Sequence, residues 1–256
     1  NGVGTKAVNA LSEYFKVTAI REGQAKWAEF QFGNLKKESK LEPTKEENGT
    51  SIHFKPDNGM FRNFRWVNEF IEQQLWNYAY LNAGLRIVFN GKTFFSKNGL
   101  HDLLSKKTNA EHIRYPIIHL TGEDVEIALT HGDHYGEQYY SFVNGQNTTQ
   151  GGTHLNAFRE ALVKTVRDHF KKAFDAKDIR ESIIAAVSVR VEEPVFESQT
   201  KTRLGSDKIS PDGQNIRTWM NDFLSKALDD FLHKNQEVAK EMLKRIQQSE
   251  RERKDI

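Results

Sequence analysis

The sequence predicts an α+β fold. Two short runs, Phe15-Lys-Val-Thr-Ala-Ile20 and Trp27-Ala-Glu-Phe-Gln-Phe32, alternate with the period of two expected of strands. Elsewhere Leu155, Phe158, Leu162, Val166 and Phe170 recur at the steps of three and four that make one face of a helix. The chain also opens on a glycine-containing turn, Asn1-Gly-Val-Gly-Thr5, that runs straight into a helical pattern.

Composition bounds the function classes. A chain of 256 residues can bury a substantial core and is expected to form two domains. Its 37 basic and 35 acidic side chains leave a formal charge of only +2, so there is no overall nucleic-acid footprint, although a local basic patch is compatible with it. Lys36-Lys37 and Lys106-Lys107 are too short to claim one. The absence of cysteine excludes disulfides and thiolate metal sites and fits a cytoplasmic protein. No apolar run approaches the roughly 20 residues that span a bilayer, so no membrane is expected.

In order along the chain, Val3, Ala7, Val8, Ala10, Leu11 and Phe15 give the opening helix a mostly apolar face. The two alternating runs then flank a turn at Arg21-Glu-Gly-Gln24. Residues 35–48 read as a polar connection, followed by a strand at Thr50-Ser-Ile-His-Phe54 that Pro56-Asp-Asn-Gly59 closes. Phe64, Val67, Ile71 and Leu75 predict a helix with Gly84 at its C-cap, and that helix would carry both Trp66 and Trp76 in packing roles. Leu85-Arg-Ile-Val-Phe89 and Thr93-Phe-Phe95 form a hairpin about Asn90-Gly91.

Strands are then expected at residues 116–120, 125–130 and 138–143. Gly151-Gly-Thr-His154 opens the long helix, with Thr153 as its N-cap. A helical turn at residues 178–182 precedes the almost wholly apolar run Ile183-Ile-Ala-Ala-Val-Ser-Val-Arg-Val191, whose composition predicts burial on both faces. Helix resumes near Asp212. Residues 240–254 alternate in charge and read as a solvated helix or a linker.

Three segments carry candidate chemistry. The N-terminus of the first helix, with Gly2 and Gly4 beside it, offers unpaired N–H groups and a partial positive charge suited to phosphate; an ordinary turn before a core helix explains it equally well. Because such a loop needs a strand and pocket before it, its place at residue 1 suggests a piece of something larger. Glu197-Ser-Gln-Thr-Lys201-Thr-Arg-Leu-Gly205 is a polar loop after the buried strand, where Lys201 could supply a point charge to a terminal phosphate and Gln199 a directional hydrogen bond; a solvated loop is the simpler reading. His131-Gly-Asp-His134 holds two imidazoles and a carboxylate, but reads as a turn between strands rather than a metal site. The remaining histidines carry no ligand spacing, and no Ser-His-Asp arrangement or nucleophile elbow is visible.

Together these motifs resemble a known family. Residues 1–12 resemble the ATP-lid glycine motif of type IIA DNA topoisomerase B subunits. Tyr140-Ser-Phe-Val-Asn144 with Gly151-Gly-Thr-His-Leu-Asn-Ala-Phe-Arg159 resembles the opening of their transducer domain. Asp178-Ile-Arg-Glu181, Ile184-Ala-Ala-Val-Ser-Val189 and Gln199-Thr-Lys201 follow in the family's order. The likeness spans nearly the whole chain and is nearer to the topoisomerase IV members than to the gyrase members.

The resemblance implies that residues 1–98 are the C-terminal half of a GHKL (Bergerat-type) ATPase sandwich. Residues 99–240 would be a ribosomal-protein-S5-like transducer with a left-handed βαβ crossover, and 241–256 a charged helical tail leading to a TOPRIM domain beyond Ile256. It also implies that Asn1, Gly2, Val3, Gly4 and Thr5 bind the triphosphate of ATP, that Gly49-Thr50 borders the adenine pocket, and that Gln199 and Lys201 reach the γ-phosphate, Lys201 as the catalytic charge sensor. Arg21 would sit at the mouth of the pocket, where aminocoumarins bind in relatives. The family's catalytic glutamate, Mg²⁺-ligating asparagine and adenine-binding aspartate all fall upstream of Asn1. No metal ligand is therefore assigned here, and the chain alone is expected not to hydrolyse ATP. The implied partners are DNA, a second copy of the B subunit in an ATP-dependent homodimer, and the topoisomerase A subunit in an A2B2 heterotetramer. The alternatives are another GHKL ATPase, Hsp90-like or MutL-like, or a non-catalytic dimerisation module.

Overall fold

The computed structural model describes residues 2–256, which divide into two compact units, residues 2–68 and Glu69–Ile256. The first unit opens with α1 (Val3–Ala10), followed by β1 (Ser12–Arg21), β2 (Gln24–Gln31), β3 (Asn34–Glu38), β4 (Glu42–Pro43) and β5 (Gly49–Pro56). Its sheet runs β3-β2-β1-β5, with β4 also paired to β2, and every pairing is antiparallel. The register puts Phe15, Phe30 and Phe54 opposite one another, and Val17 beside Ala28 and Ile52, so one face is apolar. Tyr14, Lys16 and Thr18 point to the other face, where Lys16 Nζ lies 4.8 Å from the Trp27 ring centroid.

Two expectations change in this unit. α1 stops at Ala10, short of Phe15, which lies in β1; the Ser12 hydroxyl donates to the Val8 carbonyl and the Leu11 N–H to Ala7 O at 3.0 Å, turning the chain into the strand. Residues 34–38 and 42–43 are paired as β3 and β4 rather than free connection. β3 is exposed throughout, and its Lys36 and Lys37 mark a charged sheet edge. Such an edge has no apolar alternation by which a sequence pattern would reveal it.

The second unit contains α2 (Asn68–Leu81, beginning at the boundary), β6 (Ile87–Phe89), β7 (Lys92–Phe94), α3 (Leu100–Lys107), β8 (Ile118–Thr121), β9 (Val125–His131), β10 (Gln138–Val143), β11 (Gln146–Asn147), α4 (Thr153–Phe170), α5 (Ala176–Arg180), β12 (Ile183–Val189), α6 (Ile216–Lys234) and α7 (Gln236–Lys254). Its main sheet runs β11-β10-β12-β9-β8. Only β10 and β12 are parallel, and the chain passes between them through α4 and α5.

β12 shows why its sequence is apolar at almost every position. Ile183, Ala185, Val187 and Val189 pack into the core beneath α4, α6 and α7, while Ile184 and Ala186 pack with Leu100, Leu103 and Leu104 of α3 on the opposite face. The unit is therefore three-layered, helices on both sides of a mixed sheet.

Several local expectations also change here. α2 begins at Asn68, leaving Phe64, Trp66 and Val67 outside it, and it ends before Gly84. Tyr80 of α2 is buried with α3, stacked on Trp76 at 5.5 Å, and Trp76 meets Phe94 edge-on at 5.0 Å. This packing places α2, β6 and β7 in the same compact unit as α3. Thr153 is not the N-cap of α4. Gly152 is, and the Thr153 hydroxyl donates to Ser206 O at 2.6 Å. Finally, the charged α7 is not a solvated helix, because Met242, Arg245, Ile246 and Ser249 are buried.

Candidate functional site

In the first unit, α1 begins at Gly2, whose φ of 76° and ψ of 14° place it in the left-handed region open to glycine. Among the described residues no side chain caps this end, and no acidic residue lies in the first turn. The N–H groups of the first turn have no helical acceptor, and Gly2 to Thr5 are exposed, so their free donors and the helix dipole suit an anion. A Cβ on Gly4 would meet nothing within 4 Å. At its other end α1 is fixed to the sheet: Asp57 N donates to Leu11 O at 2.9 Å, and Gly33 approaches Ala10 so closely that a Cβ would lie 3.3 Å from Ala10 Cα. Asn1 lies outside the described residues.

Thr50 stands near the start of β5, opposite Ala19, and Arg21 ends β1. Both are exposed, and the Asn48 side chain closes this end of the sheet by accepting from Glu22 N at 2.7 Å. Ala7, Val8 and Leu11 of α1, with Phe54, Phe61, Phe64 and Trp66, line an apolar cavity of about 260 Å³ in the same unit.

In the second unit, Gln199 and Lys201 are brought together at the tip of a small hairpin. Phe196 and Leu204 pair antiparallel, Glu197 N donates to Arg203 O at 3.0 Å, and Gly205 N donates to Val195 O at 2.8 Å. The turn closes where Lys201 N donates to Ser198 O at 3.0 Å, with Lys201 at φ 56°. The base of the hairpin is bonded to the start of α4. Gln150 N donates to Thr202 O, Leu204 N to Gly151 O, and Thr153 N to Leu204 O, at 2.9, 3.1 and 3.1 Å. Arg203 reinforces this base through Glu197 at 3.1 Å and the Gln150 carbonyl at 3.1 Å. The tip is thus held by backbone bonds from below, while the Gln199 and Lys201 side chains stay exposed and Lys201 makes no ion pair among the described residues. The sequence pattern singles out the tip but not its anchor. Gly151-Gly152 is the signal of that anchor, although in sequence it reads only as a helix opening.

His131 and His134 do not form a metal site. His131 is buried, its Nε2 lies 2.8 Å from Ile179 O, and its Nδ1 pairs with the Tyr115 hydroxyl. Burial is the main cause that lowers its pKa to about 4, assisted by Arg245, His134 and Arg114, so the ring is neutral near pH 7. His134 Nε2 lies 3.1 Å from Ile183 O.

The family model for DNA gyrase B matches residues 93–256. This chain belongs to the DNA gyrase B family. It is 39% identical over 258 residues to the B subunit of DNA topoisomerase 4 from Borreliella burgdorferi, covering all of this chain and 41% of that protein. It is 32% identical over 261 residues to the B subunit of DNA gyrase from Clostridium acetobutylicum, covering 94% and 40%. The chain thus spans about two fifths of the length of these relatives. Among solved structures, the 43K ATPase domain of Thermus thermophilus gyrase B, in complex with an aminocoumarin, superposes with a TM-score of 0.82 at 29% identity over all of this chain and 73% of that one. The ATPase region of Saccharomyces cerevisiae topoisomerase II shares the fold, at a TM-score of 0.66 and 22% identity. Gyrase-B-family membership removes the Hsp90-like and MutL-like alternatives. No helix among the described residues is long and apolar enough to cross a membrane.

Proposed function

We propose that this chain is the nucleotide-sensing portion of a type IIA topoisomerase B subunit, in which the first unit holds the phosphates of ATP and the second reads them. The observation that carries this is the hairpin at residues 196–204: a tip with Gln199 and an unpaired Lys201, on a base tied to α4, in a family member whose solved relative is an ATPase domain. Gly2, Val3, Gly4 and Thr5 supply free N–H groups to the triphosphate, and Asn1 is assigned with them by resemblance. Thr50 borders the adenine. The ammonium of Lys201 attracts the terminal phosphate as a point charge, and Gln199 orients it by hydrogen bonding. When that phosphate leaves, the electrostatic tie to the hairpin is lost, which couples nucleotide state to the arrangement of the transducer.

On this reading residues 1–98 are part of a GHKL ATPase sandwich and residues 99–240 an S5-like transducer, with residues 241–256 leading to a TOPRIM domain. ATP dimerises two such chains, which act on DNA together with the topoisomerase A subunit in the cytoplasm. Open space at Gly4 and the uncapped start of α1 fit a triphosphate. No carboxylate cluster among the described residues suits the accompanying Mg²⁺, whose ligand the resemblance assigns to sequence preceding the glycine loop, as it does the catalytic glutamate.

The test is Lys201→Ala in the intact protein. ATP turnover should fall by orders of magnitude with the melting temperature unchanged, because the side chain is exposed. Turnover within about twofold of the unaltered protein would overturn the assignment, since about twofold is well under 1 kcal/mol of transition-state stabilisation.

A further inference from the structure

Far along the sequence from the hairpin, the C-terminal ends of α4 and α6 bring together three side chains that the nucleotide chemistry does not use. His169 lies next to the last residue of α4. Asp229 and His233, four apart on α6, share one face of that helix. His169 Nδ1 is 2.7 Å from Asp229 Oδ1, and His233 Nδ1 is 3.2 Å from Asp229 Oδ2. The two imidazole centroids are 4.6 Å apart, at 72° to one another.

We infer that His169, Asp229 and His233 form a site for a first-row divalent transition-metal ion of the Zn²⁺ class, which would tie α4 to α6. One ligand atom from each residue lies within 4.8 Å of the other two. Tetrahedral coordination with bonds of about 2.0–2.1 Å needs ligand atoms about 3.4 Å apart, so small side-chain rotations complete the geometry. Two imidazole nitrogens and one carboxylate oxygen form a donor set for Zn²⁺, Ni²⁺ or Cu²⁺, whereas Mg²⁺ and Ca²⁺ require mostly oxygen. Three protein ligands leave a fourth position for water, and the site has an open side because the His233 side chain is 66% exposed.

The surroundings favour a cation. His169 and His233 both lie in the last turn of their helices, where unpaired carbonyls carry partial negative charge. The His169 side chain is 10% exposed and meets the Phe170 ring at 4.8 Å, so one ligand is already fixed by packing. Without metal, the Asp229 carboxylate hydrogen-bonds His169 Nδ1, while His233 Nδ1 lies 2.8 Å from the Asp229 backbone carbonyl, a contact that a bound ion would replace.

The experiment titrates the full chain with Zn²⁺ by calorimetry and with Co²⁺ by visible absorption, in millimolar Mg²⁺. Expected are one saturable equivalent and tetrahedral Co²⁺ bands, with affinity weakened at least about tenfold in His233→Ala and Asp229→Asn, the scale of loss seen even for groups that only support a ligand. His112→Ala should leave binding unchanged. Zn²⁺ should also raise the melting temperature of the unaltered chain but not that of His233→Ala, an exposed position at which folding is not at stake. Absence of saturable binding, equal loss in His112→Ala, or full binding by His233→Ala would each overturn the assignment.

Discussion

Gly152 lies so close to the backbone of Leu204 that a Cβ at position 152 would overlap the Leu204 carbonyl and amide, and its φ of 131° is itself a glycine conformation. This contact joins the start of α4 to the base of the hairpin that presents Gln199 and Lys201. Gly152→Ala should displace that hairpin and destabilise the chain by roughly 1–3 kcal/mol. Gly145→Ala, also at positive φ but with nothing within 4 Å, isolates the conformational cost. Urea unfolding of both variants checks the claim, which requires position 152 to cost more. In the intact protein, Gly152→Ala should also lower ATP turnover although it touches no nucleotide.

The second prediction concerns how α7 is seated. Asp178 of α5 is 1% exposed and accepts from Arg253 Nε and Nη2 at 3.1 and 2.8 Å and from Ser249 Oγ at 3.1 Å. This bidentate pair fixes the last turns of α7 to α5. Asp178→Asn cannot match both donors of the guanidinium. Amide exchange in residues 242–253 should accelerate, while β12 keeps its protection. Unchanged exchange along α7 would show that Met242 and Ile246 seat the helix without the ion pair.

Much of this architecture is legible in the sequence because burial dictates composition. β12 is apolar at nearly every position since both faces are covered, and α4 advertises its buried stripe through Phe158, Leu162 and Val166. The elements that escape such a reading lack that signal. β3 is an exposed edge whose pairing rests on backbone groups and the exposed Lys26–Glu38 ion pair, without apolar alternation. The burial of α7 rests partly on Arg245 and Ser249, polar residues that read as solvated until Ser182 and Asp178 are placed beside them. For the candidate site, the glycine loop and the Gln199–Lys201 tip stand out as polar segments beside regular elements. The metal triad does not: Asp229 and His233 show helical spacing, but nothing in sequence joins them to His169, sixty residues earlier.

The last prediction follows from buried neutral histidines. Burial lowers His131 to about 4 from 6.5, and the same cause lowers His154 to about 4. Neutral His131 is consistent with its contacts, Nε2–H donating to Ile179 O and Nδ1 accepting from the Tyr115 hydroxyl. His154 makes one bond, its Nε2 3.1 Å from Thr148 Oγ1, and its Nδ1 has no partner among the described residues. Between pH 4 and 6.5 the unfolded chain binds protons that the folded chain excludes, so stability rises with pH through this window. The contribution is complete above pH 6.5 and is lost as pH falls to about 4, at most about 3 kcal/mol for each ring. Urea unfolding between about pH 4 and 8 should therefore show a steep acid limb. His131→Gln should flatten that limb, and Tyr115→Phe, which leaves the ring neutral but strips Nδ1 of its donor, should lower stability by about 1–3 kcal/mol at about pH 7 without removing the slope. A stability profile already flat from about pH 6.5 to about 4.5 in the unaltered chain would mean that the two rings are not held neutral by the core.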